Sequence, residues 1–195
     1  MKIKLSINNE DNPVGIDPLL FIAHHTGSSA PDENQEKFLN KNDYISVHYG
    51  LNRRGQIVQL MDLDRIAFHC GVSAWKGMGI QKLCVNPKTG EKYYISGINP
   101  IAHGVEIYSD GKSFTRSQFK SFIKLAAYWC IKFDRKAEHV IRHADIAPER
   151  KWDVGPDFYK EYGEWSDVQK IIEKRIRIIK ENFAGIQESK EFIYV

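Results

Sequence analysis

IRHADIAPERKWDVGPDF, residues 141–158, sets an imidazole (His143), a cation (Lys151) and a carboxylate (Asp153) on one short segment. Pro148, Gly155 and Pro156 forbid a continuous helix there, because proline lacks an amide donor and clashes with the preceding turn. The three groups therefore ride on a stiff irregular loop, which can converge side chains that a helix would splay. Zinc accepts both imidazole nitrogen and carboxylate oxygen, so His143 and Asp153 read as two ligands of a site that needs a third. The plain alternative is a surface loop with a capping aspartate and a solvated lysine. Residues upstream tip the balance.

Residues 19–23 (LLFIA) are a continuous apolar run that ends in His24, His25, Thr26, Gly27, Ser28 and Ser29. That pattern is a buried central strand delivering polar side chains at its C-terminal edge, where α/β sheets commonly hold their sites. Before it, residues 1–18 suggest a short strand and a loop. After it, Pro31 and DENQEKFLN predict a short helix with acids in its first turn. Residues 45–51 and 56–61 are apolar and β-branched around Asn52-Arg53-Arg54-Gly55, a hairpin pattern. Residues 66–72 (IAFHCGV) predict a further short edge strand, 76–100 an irregular long insertion loop with the turn-like NPKTGEK, and 104–108 (GVEIY) a strand. Thr115-x-x-Gln118 is a capping-box pattern, followed by apolar Phe119, Phe122, Ile123, Ala126, Ala127, Cys130 and Phe133 at helical spacing. Residues 139–142 (HVIR) predict a short strand leading into the loop. Ser166-x-x-Gln169 repeats the capping signal, with Val168, Ile171, Ile172 and Ile179 on one side of a charged terminal helix that reads as packed rather than as a membrane or partner surface. No repeat or linker interrupts the chain, so one domain over residues 1–195 is expected.

A chain of 195 residues that is 42% hydrophobic can build a substantial core, and 12% aromatic content argues against disorder. The formal charge of +3 is too mild to imply nucleic-acid binding. Cys70, Cys84 and Cys130 are odd in number with no CxxC pair, so neither a disulfide framework nor an all-thiolate zinc site is expected. The N-terminus shows no apolar stretch typical of a secretory signal. No apolar run approaches the ~20 residues needed to span a bilayer. A chain made in the cytoplasm, without a membrane span and monomeric, is the expectation.

Polar residues at strand ends supply the chemistry. His24 and His143 with Asp153 form a neutralising three-ligand zinc set with one position open for water, whose pKa zinc lowers toward ~7. Glu106 suits the proton transfer, and Lys151 the oxyanion of a tetrahedral intermediate. Each residue alone is a weak signal, since a strand-end histidine is more often a hydrogen-bonded structural group.

Taken together, IAHHT, HYGLNRRGQIVQLMDLDRIAFHCGVS, GVEIY and RHADIAPERKWDVGPDF match in order and spacing a known family. Over about residues 19–160 the chain resembles the type 2 N-acetylmuramoyl-L-alanine amidases, zinc enzymes related to peptidoglycan recognition proteins and amidase-type phage lysozymes. The resemblance implies an α/β fold, a central mixed β-sheet flanked by helices, with a helical extension at about 161–185. It implies His24, His143 and Asp153 as zinc ligands, one Zn2+ per chain, with Glu106 assisting the attacking water and Lys151 stabilising the transition state. The implied reaction is hydrolysis of the amide between the lactyl group of N-acetylmuramic acid and L-alanine of the stem peptide, on peptidoglycan or muropeptide.

There are departures. Val47, followed by His48, stands where some branches carry a tyrosine, which moves catalytic weight onto Glu106. His103 replaces a small residue before the GVE-type segment and is expected to crowd the site or touch substrate. The loop at 76–100 exceeds the family pattern. His69 lies in a segment that resembles the substrate groove, and Trp75 can stack on sugar or peptide or else cover core. His25 reads as a packing or supporting residue, His48 as facing the sheet interior and His139 as structural. A cell-wall-degrading endolysin, released through a holin-type pore, is the first functional reading. The alternatives are a cytoplasmic recycling amidase acting on anhydro-muropeptides and a non-catalytic peptidoglycan recognition module.

Overall fold

The computed structural model describes residues 2–5, 12–41, 45–76, 81–85 and 89–191. Its strands are β1 (Ile3–Leu5), β2 (Leu20–His25), β3 (Tyr49–Leu51), β4 (Ile57–Gln59), β5 (Gln81–Val85), β6 (Lys92–Ser96), β7 (Ala102–Ile107) and β8 (Val140–Arg142). The helices are α1 (Asp32–Lys41), α2 (Arg116–Lys132), α3 (His143–Ile146) and α4 (Trp165–Glu191). Six strands form one sheet in the order β1-β4-β3-β7-β2-β8. Within it only the β3–β4 hairpin is antiparallel; the other neighbours run parallel, so the sheet is mixed.

The apolar run of β2 lies between β7 and β8 with both faces covered, which is why it shows no polar alternation. Its odd residues Phe21 and Ala23 face the core shared with α2 and α4; Leu20 and Ile22 face the opposite cluster with Ile141 and Ile146. Phe21 stacks on Trp129 of α2 with ring centroids 5.3 Å apart, burial that stabilises by about 2–3 kcal/mol for one such side chain.

The expected cap of α2 forms in full: Thr115 Oγ1 accepts from the Gln118 amide (3.1 Å), and Gln118 Oε1 accepts from the Thr115 amide (2.9 Å). Gln118 Nε2 also donates to the Tyr108 carbonyl (2.9 Å), tying the helix to the chain just beyond β7. Of the apolar stripe read in α4, Val168 and Ile172 are buried and Ile171 and Ile179 are partly buried against the same core, which also takes Ile176, a residue the pattern did not single out. The second capping box does not form. The helix begins at Trp165, and the Asp167 carboxylate accepts the Glu164 amide (3.1 Å). Gln169 instead donates to the Val140 carbonyl (2.9 Å), as does the Trp165 indole (3.1 Å). These two donors satisfy a carbonyl of β8, the strand at the sheet's edge.

Two further expectations are corrected. Residues 66–72 are not a strand. The amides of 68–70 are taken by side chains rather than by a ladder: Ser46 Oγ accepts from Phe68 (2.9 Å), and Asn99 Oδ1 accepts from His69 and Cys70 (3.1 and 2.9 Å). The 76–100 segment is not wholly irregular, since β5 and β6 pair as an antiparallel ribbon apart from the main sheet. The first residues of its turn-like NPKTGEK, 86–88, lie outside the described residues. All three cysteines are buried and none is in a disulfide. Among the described residues, no helix is long and apolar enough to cross a membrane.

Candidate metal centre

Parallel pairing sets His24 of β2 beside Glu106 of β7, so both side chains leave the same face near the C-terminal ends of their strands. The adjacent β8 leads directly into α3, whose first residue is His143. The following loop returns Asp153, and its carbonyl accepts the Ala144 amide, which anchors the loop to α3. Residues far apart in the chain thus meet: His24 Nδ1 lies 2.8 Å from His143 Nδ1, which lies 3.1 Å from Asp153 Oδ2. The remaining side of the triangle, His24 Nδ1 to Asp153 Oδ2, is 3.5 Å.

The outward nitrogens fix the tautomers. His143 Nε2–H donates to the Cys70 carbonyl (3.1 Å) and His24 Nε2–H to His69 Nδ1 (2.9 Å). His69 passes the chain on, donating from Nε2 to the Ala102 carbonyl (3.3 Å). Gly104 makes room for this ring, since a Cβ there would sit 2.6 Å from His69 Nδ1. With those protons committed outward, three lone-pair atoms point at one another, an arrangement that is repulsive without a cation. The residues fit a tetrahedral metal of the zinc type.

A second group, His24, His69 and Cys70, also has its potential donor atoms close together. It is the poorer site. Burial pushes the Cys70 thiol well above its ordinary value, against the thiolate a metal needs. Asp153, by contrast, is held ionised: burial works to raise its pKa, but the His143 and His24 imidazoles beside it hold it well below the usual carboxylate range. Burial lowers His24 to about 4, which keeps the ring neutral and able to ligate.

A cleft of about 1000 Å³ opens over the triad and is lined also by Glu106, Lys151, His69, Arg150, Trp152 and an apolar wall that includes Phe38 and Ile45. Glu106 Oε2 is buried with no hydrogen-bond partner among the described residues. Burial and then the Asp153 charge push the Glu106 carboxyl up to about 8, with Lys151 pulling the other way. A carboxyl poised near neutrality beside an ionised one is a division into proton carrier and fixed anion.

The other expected residues separate. His69 lines the cleft, but its two ring nitrogens serve His24 and Ala102. His103 neither crowds the site nor lines the cleft. It stands an odd number of residues from Glu106 on β7, so the pleat turns it to the opposite face, where it accepts from the Trp129 indole (3.0 Å) and donates to the Leu63 carbonyl (3.0 Å). Trp75 does not line the cleft and packs over the Leu20–Ile22 cluster, the core-covering role. His48 is buried, donating to the Arg65 carbonyl (3.0 Å) and accepting from the Gly104 amide (3.2 Å). His25 packs on Trp152 with ring centroids 4.6 Å apart. Sequence reasoning missed Arg150, which donates from Nε to the Val72 carbonyl (2.9 Å) and from Nη2 to the Cys70 carbonyl (2.5 Å). It also missed Trp152, whose place between Lys151 and Asp153 was the available signal.

Such a sheet sets a His-His-Asp cluster that could hold a metal ion at the strand ends beneath a cleft. The chain belongs to the N-acetylmuramoyl-L-alanine amidase family, whose model matches residues 15–156. It is 30% identical over 150 residues to the N-acetylmuramoyl-L-alanine amidase AmiD of Escherichia coli, covering 65% of this chain and 48% of that protein. It is 29% identical over 115 residues to the 1,6-anhydro-N-acetylmuramyl-L-alanine amidase AmpD of Citrobacter freundii, covering 58% and 52%. The chain thus spans about half the length of these relatives. Among solved structures, AmiD from E. coli with the substrate anhydro-N-acetylmuramic acid-L-Ala-D-γ-Glu-L-Lys superposes with a TM-score of 0.61 at 25% identity, covering 80% of this chain and 58% of that one. PlyL superposes at 0.60 and 18% identity over 88% and 97%, a likeness of fold.

Proposed function

We propose that this chain is a zinc-dependent amidase, one catalytic domain that hydrolyses the amide between the lactyl group of N-acetylmuramic acid and the L-alanine of the stem peptide. The observation that carries this reading is the convergence of His24 Nδ1, His143 Nδ1 and Asp153 Oδ2 in the cleft that Glu106 and Lys151 also line. His24, His143 and Asp153 hold the metal. Zinc, when bound, polarises the amide carbonyl and acidifies water. Glu106 takes the proton of the attacking water on its carboxylate and returns it to the alanine nitrogen as the C–N bond breaks. Lys151 offsets the negative charge that develops on the carbonyl oxygen and favours the ionised form of Glu106 that the first transfer requires.

Soluble muropeptide fragments are the substrate class that the relatives support, since AmpD's name specifies the 1,6-anhydro sugar and AmiD was solved with an anhydro-muropeptide. The endolysin role stands beside this as the second setting of the same chemistry, favoured by the chain's mild positive charge against an anionic polymer. One experiment tests both. Purified sacculi and soluble anhydro-muropeptide are each incubated with the protein, with zinc and after chelation, and products are read by mass spectrometry. Zinc-dependent release of peptides with a free L-alanine amine is the expected result, faster from the soluble fragment. Faster release from sacculi selects the endolysin. Cleavage within the stem peptide replaces the reaction, and binding without cleavage selects a recognition module.

A further inference from the structure

One side chain of the cleft has no part in holding a metal or moving a proton. Trp152 lies between Lys151 and Asp153, yet 59% of it is exposed, an unusual state for an indole that also lines a cleft. The ring is held in place. It packs on His25 with centroids 4.6 Å apart and seats against Gly155, where a Cβ would come within 3.3 Å of Trp152 Cε3. It also seats against Gly111, whose φ is +88° and where a Cβ would lie 2.6 Å from Trp152 Cη2 and 2.8 Å from His25 Cε1. Any other residue at 111 would be strained in backbone and would push both rings apart.

The neighbouring imidazole adds a polar atom. His25 Nδ1 accepts from the Gly27 amide (3.1 Å), which leaves the proton on Nε2. Nε2 is buried and has no partner among the described residues. The rim therefore offers an open, fixed aromatic face, the indole of Trp152, backed by an imidazole whose outer nitrogen is itself covered.

We infer that Trp152, seated on His25, forms a subsite for the muramyl sugar ring by stacking against its C–H face. This rests on the amidase reading proposed above. A pyranose suits this platform because its flat C–H face can lie on the open indole while its hydroxyl edge stays in water, which the exposure of Trp152 allows. An apolar group has the separate wall of Phe38 and Ile45. The methyl groups of lactate and alanine are too small to need an indole. Trp152 is thus a specificity residue that reads the sugar side of the scissile bond.

The test uses the zinc-loaded full chain and two substrates with the same tripeptide, one bearing N-acetylmuramic acid and the other only its D-lactyl group. For Trp152→Ala, kcat/KM on the sugar-bearing substrate falls about tenfold, mainly through KM, while on the lactyl peptide it moves less than about twofold. Trp152→Phe recovers part of the loss, and zinc content is the same in all three proteins. A binding readout runs in parallel: zinc-loaded Glu106→Gln protein shows an indole fluorescence change on titration with N-acetylmuramoyl tripeptide, absent when Trp152→Phe is added. Equal losses on both substrates, or an unchanged KM, overturn the subsite. If wild type releases free L-alanine amine from neither substrate, the amidase reading fails, and the fluorescence titration still decides the subsite.

Discussion

Replacing Glu106 by Gln should damage activity and stabilise the metal-free protein at the same time. The carboxyl is pushed up to about 8 by burial and by Asp153, from an ordinary value of 4.5. A carboxyl whose folded pKa is raised binds more protons folded than unfolded between those two values. Its penalty is therefore absent below about pH 4.5 and grows as pH rises toward 8. At 1.36 kcal/mol per unit the full penalty is at most about 5 kcal/mol, and about 3 kcal/mol of it is present at pH 7. Gln has the same shape and no charge to bury. In chelated protein, Glu106→Gln should melt roughly 5–10 °C above wild type at pH 7 to 8 and level with it near pH 4.5. The same change removes the proton carrier, so kcat of the zinc-loaded enzyme should fall by about 10²–10⁴. Differential scanning fluorimetry across pH and a free-amine assay read the two effects. A melting difference that does not grow with pH, or a Gln variant within about threefold of wild-type kcat, would refute the assignment.

Lys151→Met, which keeps the stem and removes the cation, should lower kcat by about 10²–10³ while the zinc content stays at wild-type level. His103 is lowered to about 3 by burial, so the folded protein resists charging it, and stability should fall as pH drops from 6.5 toward 3. In urea titrations of chelated protein, His103→Asn should show a shallower loss between pH 6.5 and 4 than wild type; an identical slope would remove His103 from the acid limb. Thr115→Ala breaks the capping box of α2 and should cost about 1 kcal/mol, a melting shift of about 2–4 °C, with kcat unchanged because the cap lies outside the cleft.

The central strand, the capped helix α2 and the convergence of His24, His143 and Asp153 were legible because each rests on a simple rule: a two-sided apolar run, a reciprocal cap, and lone-pair side chains at strand ends and on the loop beyond. The failures have equally physical causes. Residues 66–72 are apolar enough to read as a short edge strand, but Ser46 and Asn99 take the amides of 68–70, and no local pattern announces side chains that arrive from elsewhere in the chain. The β5–β6 ribbon was hidden by turn residues: Leu83, Val85 and Tyr94 are exposed while Cys84 and Ile95 turn inward onto Ile66, an alternation too short to stand out between glycines and prolines. At the start of α4, Gln169 matched a cap by spacing but is recruited by the Val140 carbonyl. His103 could have been excluded by parity alone, since it cannot share a strand face with Glu106. Trp152 was passed over because an exposed tryptophan on a loop has no period to betray it; only the two glycines and His25 that seat it reveal a built surface.

The proposed chemistry depends most on which atoms hold the metal. X-ray absorption at the zinc edge of the reconstituted protein separates the two groups that share His24. The His24, His143 and Asp153 site predicts one zinc per chain with a first shell of nitrogen and oxygen at about 2.0–2.1 Å and no sulfur. A sulfur scatterer at about 2.3 Å would place the ion on Cys70 and His69 instead, and would contradict Asp153 and His143 as ligands.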